Sequence, residues 1–177
     1  MNQNAGHLSD TLDNIVMYTL PRTLLSVLLA VAFLLPQKAF AQSEEEAVLA
    51  VAQKVFDGIN TKDADLIRAN MTPEAILYAT FNGMARHSSL EDFASQVAGA
   101  SDAFHERMFE TTIHIQDGIA VIWADYDFHV NGDFSHCGVD TFSLVKTTDG
   151  WKVASLTYTV QQEGCAPRPA IPTSQND

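Results

Sequence analysis

From Ser43 to about Asn60 the chain places Val48, Leu49, Val51, Ala52, Val55, Phe56 and Ile59 at helical spacing, which predicts an amphipathic helix. Ser43 is its expected N-cap, and Glu44, Glu45 and Glu46 sit where the helix dipole favours carboxylates. Asp63 is placed to cap a shorter helix with Leu66, Ile67 and Met71 on its apolar face, ended by Pro73. A strand is expected over 75–81, with Asn82-Gly83 as its turn. Ser88 or Ser89 then opens a third helix with Leu90, Phe93, Val97 and Phe104 inward. From Glu106 the apolar period falls to two, predicting strands near 106–116, 119–130, 134–146 and 151–161. Their turns are Asp117-Gly118, Asn131-Gly132 with Asp133, and Thr148-Asp149-Gly150. The pattern is that of an α+β domain, with three helices at the front covering one face of a long antiparallel sheet.

Hairpin register decides which polar side chains lie under those helices. A two-residue Asp117-Gly118 turn sets Ile115 opposite Ala120, Ile113 opposite Ile122, Thr111 opposite Ala124 and Phe109 opposite Tyr126, one apolar face. Glu110, His114, Trp123, Asp125, Asp127 and His129 then share the other face. A three-residue last turn sets Leu144 opposite Ala154, Phe142 opposite Leu156 and Asp140 opposite Tyr158. At the middle turn, a bare two-residue Asn131-Gly132 loop buries the acidic face against the helices. Burying Glu110, Asp125 and Asp127 unpaired costs several kcal/mol per ion by rough estimate. Turn preference is worth only about 1 kcal/mol. A three-residue loop, or a bulge of the same effect, is therefore expected, with Phe128 opposite His136 and Ala124 opposite Asp140.

Before all this lies Leu24 to Leu35, twelve residues without a charge, preceded by Arg22 and followed by Ala39-Phe40-Ala41. Basic flank, short apolar run and small-x-small site read as a secretory leader cut after Ala41, with Met17 a better start than Met1. Twelve helical residues span about 18 Å, short of the roughly 30 Å hydrocarbon core of a membrane. The protein is therefore expected to be exported, periplasmic or extracellular, with no membrane attachment after cleavage. The net charge of −12 remains with the part that follows, because Asp10 and Asp13 offset Arg22 and Lys38. Ten Lys and Arg among twenty-two Asp and Glu cannot assemble a basic patch, which excludes a nucleic-acid partner.

The closing segment T-T-D-G-W-K-V-A-S-L-T-Y, the long first helix and the short second helix resemble the nuclear transport factor 2-like superfamily, especially its SnoaL-like bacterial members. The likeness covers roughly 44–162. It extends to Tyr126-Asp127-Phe128-His129, His136-Cys137-Gly138-Val139-Asp140 and Glu163-Gly164-Cys165, which look like a secreted subgroup. The resemblance implies a cone-shaped fold. Its members include isomerases, dehydratases, cyclases, hydrolases and binding modules without a reaction, so the fold does not choose a chemistry. It also implies an Asp or His acid–base group in the cone, and a dimer through the outer sheet face.

Asp140 and His136 are the matching residue types. Asp140, expected among Phe142, Leu144 and Tyr158, gains a raised pKa from burial, as a general base requires; the plainer role is a carboxylate bonded within the sheet. His136 is either a proton shuttle or a satisfied histidine beside a loop. Four residues along one strand put them about 13 Å apart, able to flank a ligand but not to bond. Tyr126, Phe128, Tyr158 and Tyr78 are expected to line a ligand cavity, or else to be plain core. His87, His105, His114, His129 and His136 lack metal-ligand spacing, so no metal and no cofactor is expected. Cys137 and Cys165 are an even pair in an exported chain and are expected to form a disulfide, with the tail from Gly164 otherwise loose. Three readings stay open: a binder of a small apolar molecule, an acid–base enzyme on such a substrate, and a homodimeric interaction module using the outer sheet face.

Overall fold

The computed structural model describes residues 36–171, with side chains from Glu44 onward. The apolar run 24–35 lies outside the described residues. The described part of the chain carries the whole sheet within Phe40–Asp177. Its elements are α1 (Pro36–Thr61), α2 (Ala64–Asn70), β1 (Met71–Phe81), β2 (Met84–Ser89), α3 (Leu90–Gly99), β3 (Phe104–Gln116), β4 (Ile119–Val130), β5 (Asp133–Thr147) and β6 (Gly150–Thr159). They form an α+β domain around a six-stranded sheet of order β2-β1-β6-β5-β4-β3.

Two expectations about the helices change. α1 already runs from Pro36, so Ser43 lies inside it and not at its start; proline suits a first helical turn, and the intervening residues sustain a helix. Nor are the three helices grouped at the front, because α3 follows a β1–β2 hairpin. Strand β2 (M-A-R-H-S-S) was hidden by its lack of apolar alternation. The capping readings hold at the other two starts. Asp63 accepts from the backbone N–H groups of Asp65 and Leu66, and Ser89 accepts from that of Asp92.

Val48, Ala52, Val55 and Phe56 of α1 pack with Ile67, Leu90, Ala94 and Val97 against Ala120, Ile122, Ala124, Phe142, Leu144 and Leu156 of the sheet. The Phe56 and Phe142 rings stand 5.9 Å apart. Trp151, of the D-G-W turn, is buried and donates its indole N–H to Glu44, whose other oxygen accepts from Lys146 at 2.6 Å. Glu44 thus joins α1 to the β5–β6 hairpin, and the Lys146 hydrogen bond lowers its pKa.

β1 runs parallel to β6, with Leu77 beside Leu156, while the other neighbours are antiparallel. Bulges set the faces. Asn131 (φ 54°) and Gly132 (φ 88°) make a two-residue turn with both residues in the left-handed region. Ser135 is then the extra residue that restores Phe128 to His136, Asp127 to Cys137 and Ala124 to Asp140. The acids of β4 therefore stay off the helical face, for the energetic reason given above. In the last hairpin Phe142 lies opposite Leu156 and Asp140 opposite Tyr158 as expected. The turn itself is Thr148-Asp149, so Leu144 meets Val153, not Ala154.

The β3–β4 register departs most. Ile113 and Ile115 pair as expected with Ile122 and Ala120, but Glu110 (φ 45°) and Thr111 together oppose Ala124. That bulge inverts the pleat. Tyr126 meets Met108 instead of Phe109, and Phe104, Glu106 and Met108 turn toward the helices. Phe104 begins this strand and does not belong to the third helix.

Cys137 and Cys165 are disulfide-bonded with Cα atoms 6.0 Å apart, beside the isolated bridge between Cys137 and Gln161. Residues 165–171, the described part of the tail, are tied down and not loose. Arg168 bonds Glu110 at 2.9 Å and Asp125 at 2.7 Å, and its guanidinium lies 4.6 Å from the Phe109 ring centroid. Arg107 donates to the Pro169 carbonyl at 2.8 Å.

Candidate functional site

At one end of the helical face a cavity of about 420 Å³ remains unfilled. α1 supplies Ile59, α3 supplies Phe93, Gln96 and Val97, and the sheet supplies an aromatic wall. Phe104 and Phe128 tilt together at 5.2 Å, Phe128 stacks on His136 at 4.9 Å, and Tyr126 meets the His136 ring edge-on at 5.8 Å. Of the residues singled out from the sequence, Asp140, His136, Tyr126, Phe128 and Tyr158 all come together here.

Tyr78 does not. Leu77 and Ala79 face inward, so strand alternation turns Tyr78 to the opposite surface, 42% exposed and stacked on His87. Asp127 and His129 are off the helical face as expected, but they are not solvated. Asp127 is 2% exposed and held by Arg107, whose Nε donates to Oδ1 at 2.9 Å, while His129 Nε2 lies 3.4 Å from Oδ2. Burial alone pushes the Asp127 pKa up; the hydrogen bonds from Arg107 and the nearby His129 ring outweigh it and leave the pKa lowered.

Tyr126 is 1% exposed and donates its hydroxyl to the Thr159 carbonyl at 2.7 Å. The ring fits because residue 138 is glycine: a Cβ there would stand 2.7 Å from the Tyr126 ring. Burial first, then the nearby acids, raise the pKa of both tyrosines, Tyr126 and Tyr158, so they serve as donors and not as bases.

Asp140 is 2% exposed, and its Oδ2 has no hydrogen-bond partner among the described residues. Burial raises its pKa well above the usual carboxylate range. Glu106 shares the cavity from β3 and was missed in the sequence, because an unbulged register turns it outward. Its backbone is clamped on both sides by Asn60, which accepts from its N–H at 2.6 Å and donates to its carbonyl at 3.0 Å. Burial, then the charge of Asp140 and of Asp127, push the Glu106 pKa well up. The available signal was a change of parity: Phe104 and Met108 are apolar at even positions, Ile113 and Ile115 at odd ones. Only an extra residue between them puts both pairs on one face.

Burial lowers the His136 pKa, so its imidazole is neutral near pH 7. Its Nδ1 and Ser135 Oγ are 3.0 Å apart. No Lys or Arg is among the described residues lining the cavity. Nor do the described residues include a group of three or more His, Cys, Asp or Glu placed to hold a metal. The site is thus an aromatic pocket with two carboxyls at its margins, two tyrosine hydroxyls and a neutral imidazole. It can donate protons, accept them, or neutralise a positive charge.

A bent six-stranded sheet with helices over one face and a cavity at its end is the fold of solved nuclear transport factor 2-like proteins. Residues 43–159 match the family described as "Putative lumazine-binding", and the chain is a member of that family. Solved structures agree on the fold. A nuclear transport factor 2-like protein of unknown function from Shewanella baltica is 19% identical, covering 67% of this chain and 94% of that one, with a TM-score of 0.55. A nuclear transport factor 2-like protein with a cystatin-like fold from Novosphingobium aromaticivorans is 12% identical, covering 73% and 88%, with a TM-score of 0.60. A third, named a "putative dehydratase" of the same superfamily, from Streptomyces avermitilis, is 15% identical, covering 68% and 97%, with a TM-score of 0.58. No curated protein matches the chain.

Proposed function

We propose that this protein binds a small, largely apolar molecule in the cavity between α1, α3 and the sheet. The observation that carries the reading is Asp140, a buried carboxyl among the aromatic residues lining the cavity, whose Oδ2 has no hydrogen-bond partner among the described residues. A buried acceptor left unmade costs on the order of 1–3 kcal/mol, a cost that a ligand's donor would remove. Thermal denaturation against a panel of aromatic alcohols, ketones and amines tests it. Lumazine belongs in that panel, since the family description names it. A ligand at a hundred times its Kd should add about 2.7 kcal/mol of stability, with the gain reduced in Asp140→Asn or His136→Ala. A panel that leaves the wild-type midpoint unmoved rejects the reading.

A second reading is favoured by the pairing of Glu106 with Asp140: acid–base catalysis on the bound molecule. The two carboxyls supply a base and an acid together when one is ionised and the other protonated, with Tyr126, Tyr158 or His136 as hydrogen-bond partner. The Streptomyces avermitilis relative's name supports a proton-transfer reaction of this kind. Turnover lost in Asp140→Asn with ligand binding retained would select the enzyme.

Export is part of the same proposal. The disulfide suits an oxidising compartment, and no helix of the described residues is long and apolar enough to cross a membrane. The outer sheet face also presents Ile119, Val121 and Trp123 as one exposed row, which supports a homodimer through that face. Trp123→Glu should then halve the mass measured by light scattering, and an unchanged mass would discard the interface.

A further inference from the structure

The proposal that the cavity binds a small molecule leaves the class of that molecule open, and the charge of the site narrows it. Glu106 reaches the cavity from β3 and Asp140 from β5, on either side of β4, whose Tyr126 and Phe128 lie between them. The nearest guanidiniums are committed elsewhere. Arg107 is bonded to Asp127, and Arg168 to Glu110 and Asp125. The titratable groups facing the cavity are Glu106, Tyr126, His136, Asp140 and Tyr158, while α1, α3 and the β1–β2 hairpin contribute only neutral side chains. None of these is a cation near neutral pH. Burial raises the pKa of both carboxyls, and the charge of Asp140 raises that of Glu106 further, so neither tolerates an uncompensated charge. The cavity therefore offers two carboxyls with no cation beside them among the described residues, an Asp140 oxygen without a hydrogen-bond partner among those residues, and aromatic faces.

We infer that the cavity takes a small aromatic or alkyl molecule bearing one cationic nitrogen, an amine whose ammonium group sits between Glu106 and Asp140 while its apolar part lies on Phe128, Tyr126 and Phe104. The ammonium supplies the counter-charge that either carboxylate lacks, donates to the orphaned Oδ2, and meets aromatic faces that attract cations. A neutral acceptor such as a ketone satisfies a protonated carboxyl but offers no counter-charge to an ionised one. A carboxylate ligand adds a further negative charge. This inference rests on the cavity being a binding site, and it deepens that reading by naming the chemistry.

Isothermal titration of the purified full chain at pH 7 with tryptamine, tryptophol, N-acetyltryptamine and indole-3-propionate separates the possibilities. These probes share one ring and differ in the charge of the tail. Tryptamine should bind at least ten-fold more tightly than tryptophol or N-acetyltryptamine, with indole-3-propionate weakest. This comparison uses only the native protein and does not depend on any variant folding. In Glu106→Gln and Asp140→Asn, checked for a native circular dichroism spectrum, the preference for tryptamine over tryptophol should fall at least ten-fold while tryptophol binding persists. Equal binding of amine and alcohol, or tightest binding of the acid, overturns the amine class while the binding cavity stands. Failure of all four probes overturns the amine class as well. In that case the wider panel of neutral ligands decides whether the cavity binds at all.

Discussion

Asp140→Asn is expected to stabilise the ligand-free protein at pH 7 to 8 by about 1–3 kcal/mol, an unusual sign for a change inside a core. Asp140 loses its proton near pH 4 in the unfolded chain, whereas burial raises its pKa in the native state. Its contribution to stability is whole below the unfolded pKa and is lost as pH rises through the folded one. Across that window stability falls by about 1.4 kcal/mol per pH unit for each proton that only the native state holds. Asparagine keeps the shape without the titration, so the variant's profile should flatten above about pH 5. Glu106→Gln should flatten it similarly, and the double variant should add less than the sum, because the two acids titrate as one system. Asp127 works in the opposite sense: its lowered pKa supports stability above the unfolded value, and that support is lost on acidification. The comparison therefore belongs above pH 5, by urea denaturation at several pH values. Parallel wild-type and Asp140→Asn profiles there would show that Asp140 ionises as an ordinary surface acid does.

Arg107→Ala should be the most damaging single change on the opposite face, costing about 3–5 kcal/mol, since it leaves the buried Asp127 carboxylate unpaired. His129 lies close enough to offer partial compensation, but its side chain is only 12% exposed, and its ring nitrogens have no hydrogen-bond partner among the described residues. Arg107→Ala with Asp127→Asn should recover most of the loss, because the uncompensated charge disappears with its partner. The single variant also frees the Pro169 carbonyl, so limited proteolysis after Gly164 should accelerate. Chemical denaturation of the two single variants and the double supplies the coupling energy. A loss under 1 kcal/mol from Arg107→Ala would place this pair with ordinary surface salt bridges.

The two predictions concern the two faces of one sheet, and the faces differ in how legible they were. Asp140 could be placed under the helices from sequence because the alternative buried Glu110, Asp125 and Asp127 together, an energetic penalty too large for turn preference to offset. The extra residue that achieves this is Ser135, with the Asn131-Gly132 turn kept at two residues. Tyr126, Phe128, His136 and Tyr158 followed Asp140 into the cavity, being tied to it by parity along β4, β5 and β6. Glu106 did not follow, since it lies beyond the β3 bulge at Glu110 and Thr111, where counting back from the turn acquires an error of one. One residue of slip exchanges the faces of a strand. Tyr78 failed for a different reason. The order of β1 in the sheet depends on its parallel pairing with β6, a contact with no local signature in either segment.

The tail shows the same division. The even cysteine pair and its ladder position were enough to pair Cys137 with Cys165, since opposite Gln161 the chain is already beside β5. That Arg168 would lie over Phe109 between Glu110 and Asp125 was not readable, because proline-rich composition speaks only of lost regular structure.

The four strands after the third helix, the Cys137–Cys165 pair, the acidity of the domain and the inward-facing Asp140 follow from the sequence alone, because each rests on local periodicity, on the even cysteine count or on the cost of burying charge. The pairing of Glu106 with Asp140, the exclusion of Tyr78 and the Arg107–Asp127 bond were decided only in three dimensions. They depend on bulges and on strand neighbours distant in the chain, which shift a side chain from one face to the other without changing any local pattern.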